Sequence, residues 1–298
     1  MKHTFPYGTG VALITPFLSD NRIDFNALGA IIDYNIRRGV DYFVVLGTTG
    51  ESVTLRDDEK QDIYRFAVTY VDKRVPLVAG VGGNHTAEIV RQLEQFNTDG
   101  YSAFLSVSPY YNKPTQEGIF QHYLALEKVS PLPIILYNVP GRTSSNINAD
   151  TCLRLARYSK KFIAIKEASG NMAQMMQIIK HKPAHFQVIS GDDNLTLPLM
   201  SVGGIGVISV VAQALPKTYS SMVDAVLLGD MDTARQLHYK MLDVMDLFFA
   251  EGNPGGVKAA LHSLQLCHNL VRLPLVPVTD TLQLKLKQAL QEFAEPVA

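Results

Sequence analysis

Short, almost uninterrupted apolar runs recur along this chain, each followed by a loop marked with glycine or proline and then by an amphipathic stretch. The runs occupy residues 11–14, 42–46, 76–79, 103–107, 133–137, 162–166, 187–190 and 206–209. The first six follow one another at roughly 30 residues, the length of a strand–helix–strand unit. Continuous rather than alternating apolar sequence fits parallel strands buried on both faces. Between the runs, Ile63, Phe66, Ala67, Tyr70 and Val71 fall at helical spacing behind Thr54; Ile89, Leu93 and Phe96 do so behind Thr86, and Met172, Met175, Met176 and Ile179 behind Asn171. Side-chain oxygens at such positions accept hydrogen bonds from unpaired first-turn N–H groups. Gly39 and Gly100 sit where helices should stop, glycine being at ease in the left-handed conformation.

Eight such units predict an α/β fold, a (β/α)8 TIM barrel over residues 1–214. From residue 215 onward the pattern is helical only, with long amphipathic helices at 231–250 and 279–294. Residues 215–298 therefore read as a C-terminal helical extension, packed on the barrel and available to a partner subunit. A doubly wound open sheet is the alternative. No GxGxxG follows the first run and no GxxxxGK[ST] occurs anywhere, which disfavours nucleotide binding.

Composition narrows the function classes. The 298 residues are 47% hydrophobic, enough for a large core, and the net charge is −1, whereas nucleic-acid or acidic-membrane partners call for a basic surface. The segment MKHTFPYGTG lacks the apolar stretch of a signal peptide, and the apolar runs fall far short of the roughly 20 residues of a membrane helix. The expectation is a cytoplasmic protein. Cys152 and Cys267 lie far apart, outside any CxxC and in stretches that read as helix, so they are expected to be reduced, buried thiols. Asp192 and Asp193 have no histidine or third carboxylate at ligand spacing, and Pro183 interrupts the His181/His185 pair. Neither a metal nor another cofactor is expected.

Active sites of such barrels gather at the C-terminal strand ends. There the sequence places GTTGES at 47–52, SPYYNKP at 108–114, YNVPGRT at 137–143, KEASG at 166–170 and SGDD at 190–193. Lys166 closes an apolar run and should face a mostly apolar barrel mouth. Burial favours a neutral amine, which can attack a ketone, and the iminium that results is an electron sink. Alone, Lys166 reads better as an ordinary strand-end lysine, with its charge in solvent or paired with Glu167; its neighbours shift that balance. Tyr137 ends the preceding strand and can carry protons there. Thr48 and Thr49, between two glycines, offer hydroxyls and N–H groups to a small carboxylate. Arg142 offers a bidentate grip on another carboxylate. Tyr110 and Tyr111 fit core or interface packing as well as catalysis.

These motifs, in this order, resemble the dihydrodipicolinate synthase family, and the resemblance runs from GTGVALITPF at 8–17 to NPGGVKAAL at 253–261. It implies a Schiff-base-forming lyase that condenses pyruvate with L-aspartate 4-semialdehyde to 4-hydroxy-tetrahydrodipicolinate, in the diaminopimelate and lysine pathway. Lys166 would carry pyruvate. Tyr137, Thr48 and Tyr111 would relay protons, with Tyr111 supplied by a neighbouring subunit. Thr49 would hold the pyruvate carboxylate, Arg142 the aldehyde's carboxylate, and backbone near Gly191 and Ile208 would line the pyruvate site. A homotetramer built as a dimer of dimers is implied. A sialic-acid or sugar-acid lyase is a second reading, which Arg142 disfavours, and a catalytically silent acid sensor is a third. One departure is NPGGVK at 253–258, where many members carry a further proline; it reads as a loosened loop without catalytic consequence. In lysine-inhibited members lysine binds a cleft at the dimer interface, and the matching positions here are Ser52, Val53, Asp57, Lys60, Asn84, Glu88 and Tyr110. Lys60 stands where sensitive members often have histidine. A lysine cannot accept a bond from the ligand's ammonium group, and it adds a like charge. Weak or absent inhibition by lysine is expected.

Overall fold

The computed structural model describes residues 5–293. Eight parallel strands close into a barrel in chain order: β1 (Gly8–Ala12), β2 (Tyr42–Val45), β3 (Leu77–Gly80), β4 (Tyr101–Val107), β5 (Ile134–Asn138), β6 (Phe162–Glu167), β7 (Gln187–Ser190) and β8 (Gly206–Ser209), with β8 pairing back onto β1. The helices are α1 (Phe25–Ile36), α2 (Asp57–Val71), α3 (Thr86–Gln95), α4 (Gln116–Val129), α5 (Pro140–Thr143), α6 (Ala149–Tyr158), α7 (Met172–His181), α8 (Thr196–Ser201), α9 (Pro216–Leu228), α10 (Met231–Phe249), α11 (Gly255–Ser263) and α12 (Asp280–Gln291). The expected (β/α)8 barrel with helices after it is what the chain forms.

The continuous apolar runs have a simple cause. Alternate strand residues face opposite sides of the sheet, and both sides are dry. Inside the barrel pack Ala12, Tyr42, Val44, Val78, Leu105, Ile135, Ala164, Ile189 and Ile208. Their neighbours Val11, Phe43, Val45, Leu77, Phe104, Leu136, Ile165 and Val207 face the helices. Each fully buried Val, Leu, Ile or Phe among them stabilises the fold by roughly 1.5–3 kcal/mol. Tyr42 spans the interior and donates to Val207 O at 3.2 Å. Its ring fits because β1 carries Gly10 opposite; a Cβ there would lie 2.2 Å from Tyr42 Cζ.

Several local expectations need correction. The first strand begins earlier than the run at 11–14, because Gly8 to Val11 pair with β8. Thr54 does not cap α2; its hydroxyl donates to Glu51 O at 3.1 Å, and the helix start is closed by Glu59, whose carboxylate accepts from Arg56 N at 2.9 Å. Thr86 is the first residue of α3, its hydroxyl bonded to His122 Nδ1 at 2.8 Å. Asn171 does cap α7, accepting from Gln174 N. Gly39 (φ +91°) follows α1, but Gly100 (φ +81°) belongs to the turn into β4, since α3 ends at Gln95. Cys152 is buried in α6, whereas Cys267 is half-buried beyond the end of α11, in no helix; both are free thiols. The helix expected over 279–294 covers Asp280–Gln291, and Ala294 lies outside the described residues.

The helices after β8 matter to the site. α9 packs on β1 and on α10, and α11 packs on α10 and α12. The doubled glycine at the start of α11 is not loose. A Cβ on Gly256 would lie 2.0 Å from Phe248 O, so the residue is there to let α11 approach the end of α10.

Candidate active site

Strand register sets the centre of the site. Tyr137 is the register partner of Lys166, and Lys166 of Ile189, so three inward-facing residues sit side by side on β5, β6 and β7. Lys166 is 5% exposed, and its Nζ stands 4.4 Å from the centroid of the Tyr137 ring. Glu167 is not its partner. The Glu167 side chain accepts bonds from Asn138 Nδ2 and Gln174 Nε2, both at 2.9 Å, and from Ser169 Oγ at 2.6 Å. Burial pushes the Glu167 carboxyl above the usual range, and those three bonds oppose the shift. Burial likewise raises Asp192, with the Lys166 charge pulling it back. Among the described residues Lys166 has no carboxylate within salt-bridge distance. An amine in this position is available for attack on a carbonyl.

Gly191 closes over this lysine. A Cβ there would come within 3.0 Å of Lys166 Cε and 2.8 Å of Ala168 Cβ, and Gly191 N donates to Glu167 O at 2.7 Å. Ile208, fully buried on β8, belongs to the same inward-facing cluster as Tyr137 and Ile189.

Thr48 and Thr49 lie in a tight turn, Thr48–Gly50, at the end of β2, and Glu51 follows it in left-handed conformation (φ +54°). Thr48 is half-buried, and Thr49 is buried. A cavity of about 320 Å³ opens beside the turn, walled by Thr48, Leu105, Tyr110, Tyr137 and Arg142, among others. Thr48, Tyr137 and Arg142 thus share one space. Lys166, Thr49, Gly191 and Ile208 do not reach that wall; Lys166 sits deeper, against the ring of Tyr137.

Arg142 lies on the short α5, started by Pro140, and is exposed. Its Nη2 donates to Asn253 O at 3.3 Å, while Asn253 Nδ2 donates to Thr49 Oγ1 at 3.0 Å. The segment expected to lack consequence therefore touches two site residues. Pattern reading missed Asn253, Lys258 and Glu51; the signal available was a polar pair, Asn253 and Lys258, flanking glycines in an otherwise apolar stretch.

Tyr111 is not brought to Lys166 or Tyr137 within this chain. It is 88% exposed with φ +73°, and Val53 is 83% exposed. Ser52, Val53, Asp57, Lys60, Asn84, Glu88 and Tyr110 all line a second cleft, of about 480 Å³. There Lys60 Nζ pairs with Asp57 at 3.1 Å, and Asn84 Nδ2 donates to Tyr110 O at 3.1 Å. Arg91 and Gln92 bond Glu88 at 2.6 Å and 3.0 Å, and hold its carboxyl at about 2. Asp193 serves structure: its carboxylate accepts from Ser209 Oγ and from Val210 N, fixing the end of β8. Among the described residues no group of three His, Cys, Asp or Glu side chains is gathered as metal ligands would be, and no helix is long and apolar enough to cross a membrane.

The closed parallel barrel, with a buried lysine and a tyrosine side by side on neighbouring strands, places the chain among the (β/α)8-barrel proteins. Within that class the chain belongs to the dihydrodipicolinate synthetase family, whose model matches residues 6–293. It is 50% identical over 287 residues to the 4-hydroxy-tetrahydrodipicolinate synthase of Parabacteroides distasonis, covering 96% of this chain and 97% of that one. Its fold superposes on the dihydrodipicolinate synthase of Aquifex aeolicus with a TM-score of 0.93 at 39% identity, over 96% of this chain and 98% of that one. The chloride-inhibited synthase of Acinetobacter baumannii, solved in complex with pyruvate, matches with a TM-score of 0.93 at 37% identity, over 96% and 98% of the two chains.

Proposed function

We propose that this chain is a lyase that condenses pyruvate with L-aspartate 4-semialdehyde to 4-hydroxy-tetrahydrodipicolinate. The observation that carries the reading is the buried juxtaposition of Lys166 with Tyr137 on neighbouring strands. Family membership and a half-identical relative of that name support it.

In this reading the Lys166 amine adds to C2 of pyruvate, and the carbinolamine loses water to give an imine. Tyr137 and Thr48, which share one cavity wall, pass the protons of that dehydration. Loss of a C3 proton makes an enamine, whose C3 attacks the aldehyde carbon of the second substrate. The semialdehyde's own amine then adds to the imine carbon, closes the ring and expels Lys166 as the free amine. Thr49 and the N–H groups of its turn hold the pyruvate carboxylate, with Gly191 and Ile208 shaping the pocket around its methyl. Arg142, exposed at the cavity rim, receives the semialdehyde carboxylate. No external cofactor enters this sequence.

Tyr111 and Val53 supply an exposed apolar surface that a second subunit would cover, bringing Tyr111 into the partner's proton relay. A homotetramer in the cytoplasm is the assembly and location we infer. The reaction is tested by a coupled assay with pyruvate and aspartate semialdehyde beside cleavage of N-acetylneuraminate. Turnover in the first and none in the second is expected, and the reverse would overturn the reading.

A further inference from the structure

We propose that the buried ion pair between Glu51 and Lys258 positions the Thr48–Thr49 turn for catalysis, which makes both of them positioning residues of the reaction. The inference rests on the function proposed above. Lys258 Nζ donates to Glu51 Oε1 at 2.5 Å, and the two side chains are 0% and 1% exposed. The remaining bonding capacity is nearly filled. Lys258 Nζ also donates to Leu270 O at 2.7 Å, and Glu51 Oε2 accepts from Arg272 N at 2.9 Å.

Glu51 is the residue on which the turn closes. Its N–H donates to Thr48 O at 3.1 Å, and its backbone takes a left-handed conformation that costs a non-glycine residue energy and has to be held by its surroundings. Thr15 Oγ1 fixes the next carbonyl inward, that of Gly50, at 2.6 Å. The carboxylate of Glu51 thus sets the direction in which the turn presents Thr48 and Thr49. The segment that begins with Asn253 grips this turn twice, once at the Thr49 hydroxyl and once at Glu51.

Stability alone is a poor account of such a pair. Lys258 Nζ lies 4.2 Å from the centroid of the Phe17 ring, and a charge so deeply buried bears a desolvation cost that its ion pair has to offset. Exchanging a buried ion pair for neutral groups of similar size is often neutral or stabilising, whereas removing one partner is costly. What the charged pair adds is a fixed geometry, and a displacement of about 1 Å in an active site can cost a hundredfold in rate.

The test compares Lys258→Met with the double variant Glu51→Gln/Lys258→Met. The glutamine keeps an acceptor for Arg272 N and removes the carboxylate charge, so the double variant leaves no charge unpaired, whereas Lys258→Met alone leaves Glu51 without its ammonium partner. Melting temperature, kcat, KM for pyruvate and the borohydride-trapped pyruvate adduct are measured for each. Lys258→Met should melt lower and lose kcat on the order of a hundredfold. The double variant should regain the wild-type melting temperature and still form the adduct, yet keep kcat at least about tenfold below wild type. A double variant that recovers kcat together with its melting temperature, or a Lys258→Met protein with wild-type kcat, overturns the proposal. Absence of product from the wild-type protein would instead refute the assigned reaction and is read from the same assay.

Discussion

Asn253 donates from Nδ2 to Thr49 Oγ1 across 3.0 Å, although the two residues stand 204 positions apart. The bond is buried and joins the segment before α11 to the turn after β2. It leaves the Thr49 hydroxyl proton free to point at a ligand, since the oxygen is already accepting. Asn253→Ala should therefore raise KM for pyruvate by roughly three- to tenfold, the worth of one buried hydrogen bond, with a smaller effect on the aldehyde. Steady-state kinetics in both substrates check this, and an unchanged KM for pyruvate would show that the bond serves the loop alone.

Arg142 should discriminate the second substrate. It is exposed, and among the described residues its side chain is held by Asn253 O, so its grip on a carboxylate is partly wet. Arg142→Ala should lower kcat/KM for the aldehyde by roughly 10–100-fold while pyruvate adduct formation persists. Equal losses for both substrates would make Arg142 a structural residue of α5.

The barrel was legible because its strands are dry on both faces. Residues such as Phe43 and Val44 face opposite sides and are both fully buried, which writes a continuous apolar run into the sequence. Lys166 and Tyr137 were legible for the same reason, each closing such a run. What pattern reading missed lies in contacts between distant segments. Glu51 was visible as the E of GTTGES, but its partner Lys258 is 207 positions away, and no local periodicity records the pairing. Gly255 and Gly256 looked like flexibility because glycine alone cannot say whether it permits a bend or a close approach. The caps at Thr54 and Thr86 were misplaced because their hydroxyls found partners other than helix N–H groups.

Tyr111 is expected to act across a subunit boundary. It is 88% exposed and does not line the cavity walled by Thr48 and Tyr137. Tyr111→Phe and Lys166→Ala should each lose roughly a hundredfold or more in rate. Co-expressed, they should yield mixed dimers with activity that neither parent shows. Failure of the mixture to recover activity would place Tyr111 in the site of its own chain.

Inhibition by lysine should be weak or absent. Lys60 stands in the second cleft with Asp57 as its counter-ion, and the Glu88 carboxylate is already engaged by Arg91 and Gln92. A cationic ligand would have to displace Arg91 and tolerate Lys60, and like charges about 4 Å apart repel by roughly 1 kcal/mol in water. A lysine titration at saturating pyruvate checks this; strong inhibition at sub-millimolar lysine, which means a Kd tighter than about −4 kcal/mol of binding, would contradict it. Lys60→His should increase sensitivity.

Glu167 carries a pH signature. Burial raises its folded pKa above the unfolded value, so the folded state binds its proton more tightly. Its contribution to stability is complete below the unfolded value of 4.5 and is lost as pH rises through the folded pKa. Glu167→Gln keeps a neutral side chain at every pH. The melting temperature of the variant minus that of wild type should increase with rising pH through this window. A difference that decreases instead would mean that the ionised carboxylate is the stabilising form.

Lys166 is expected to form the Schiff base. This is tested most directly by incubating the protein with pyruvate, reducing with borohydride and mapping the adduct by peptide mass. One reduced pyruvate adduct is expected, on the peptide containing Lys166, and none in Lys166→Ala. An adduct that survives that substitution, or that maps to Lys258 or any other lysine, would contradict it.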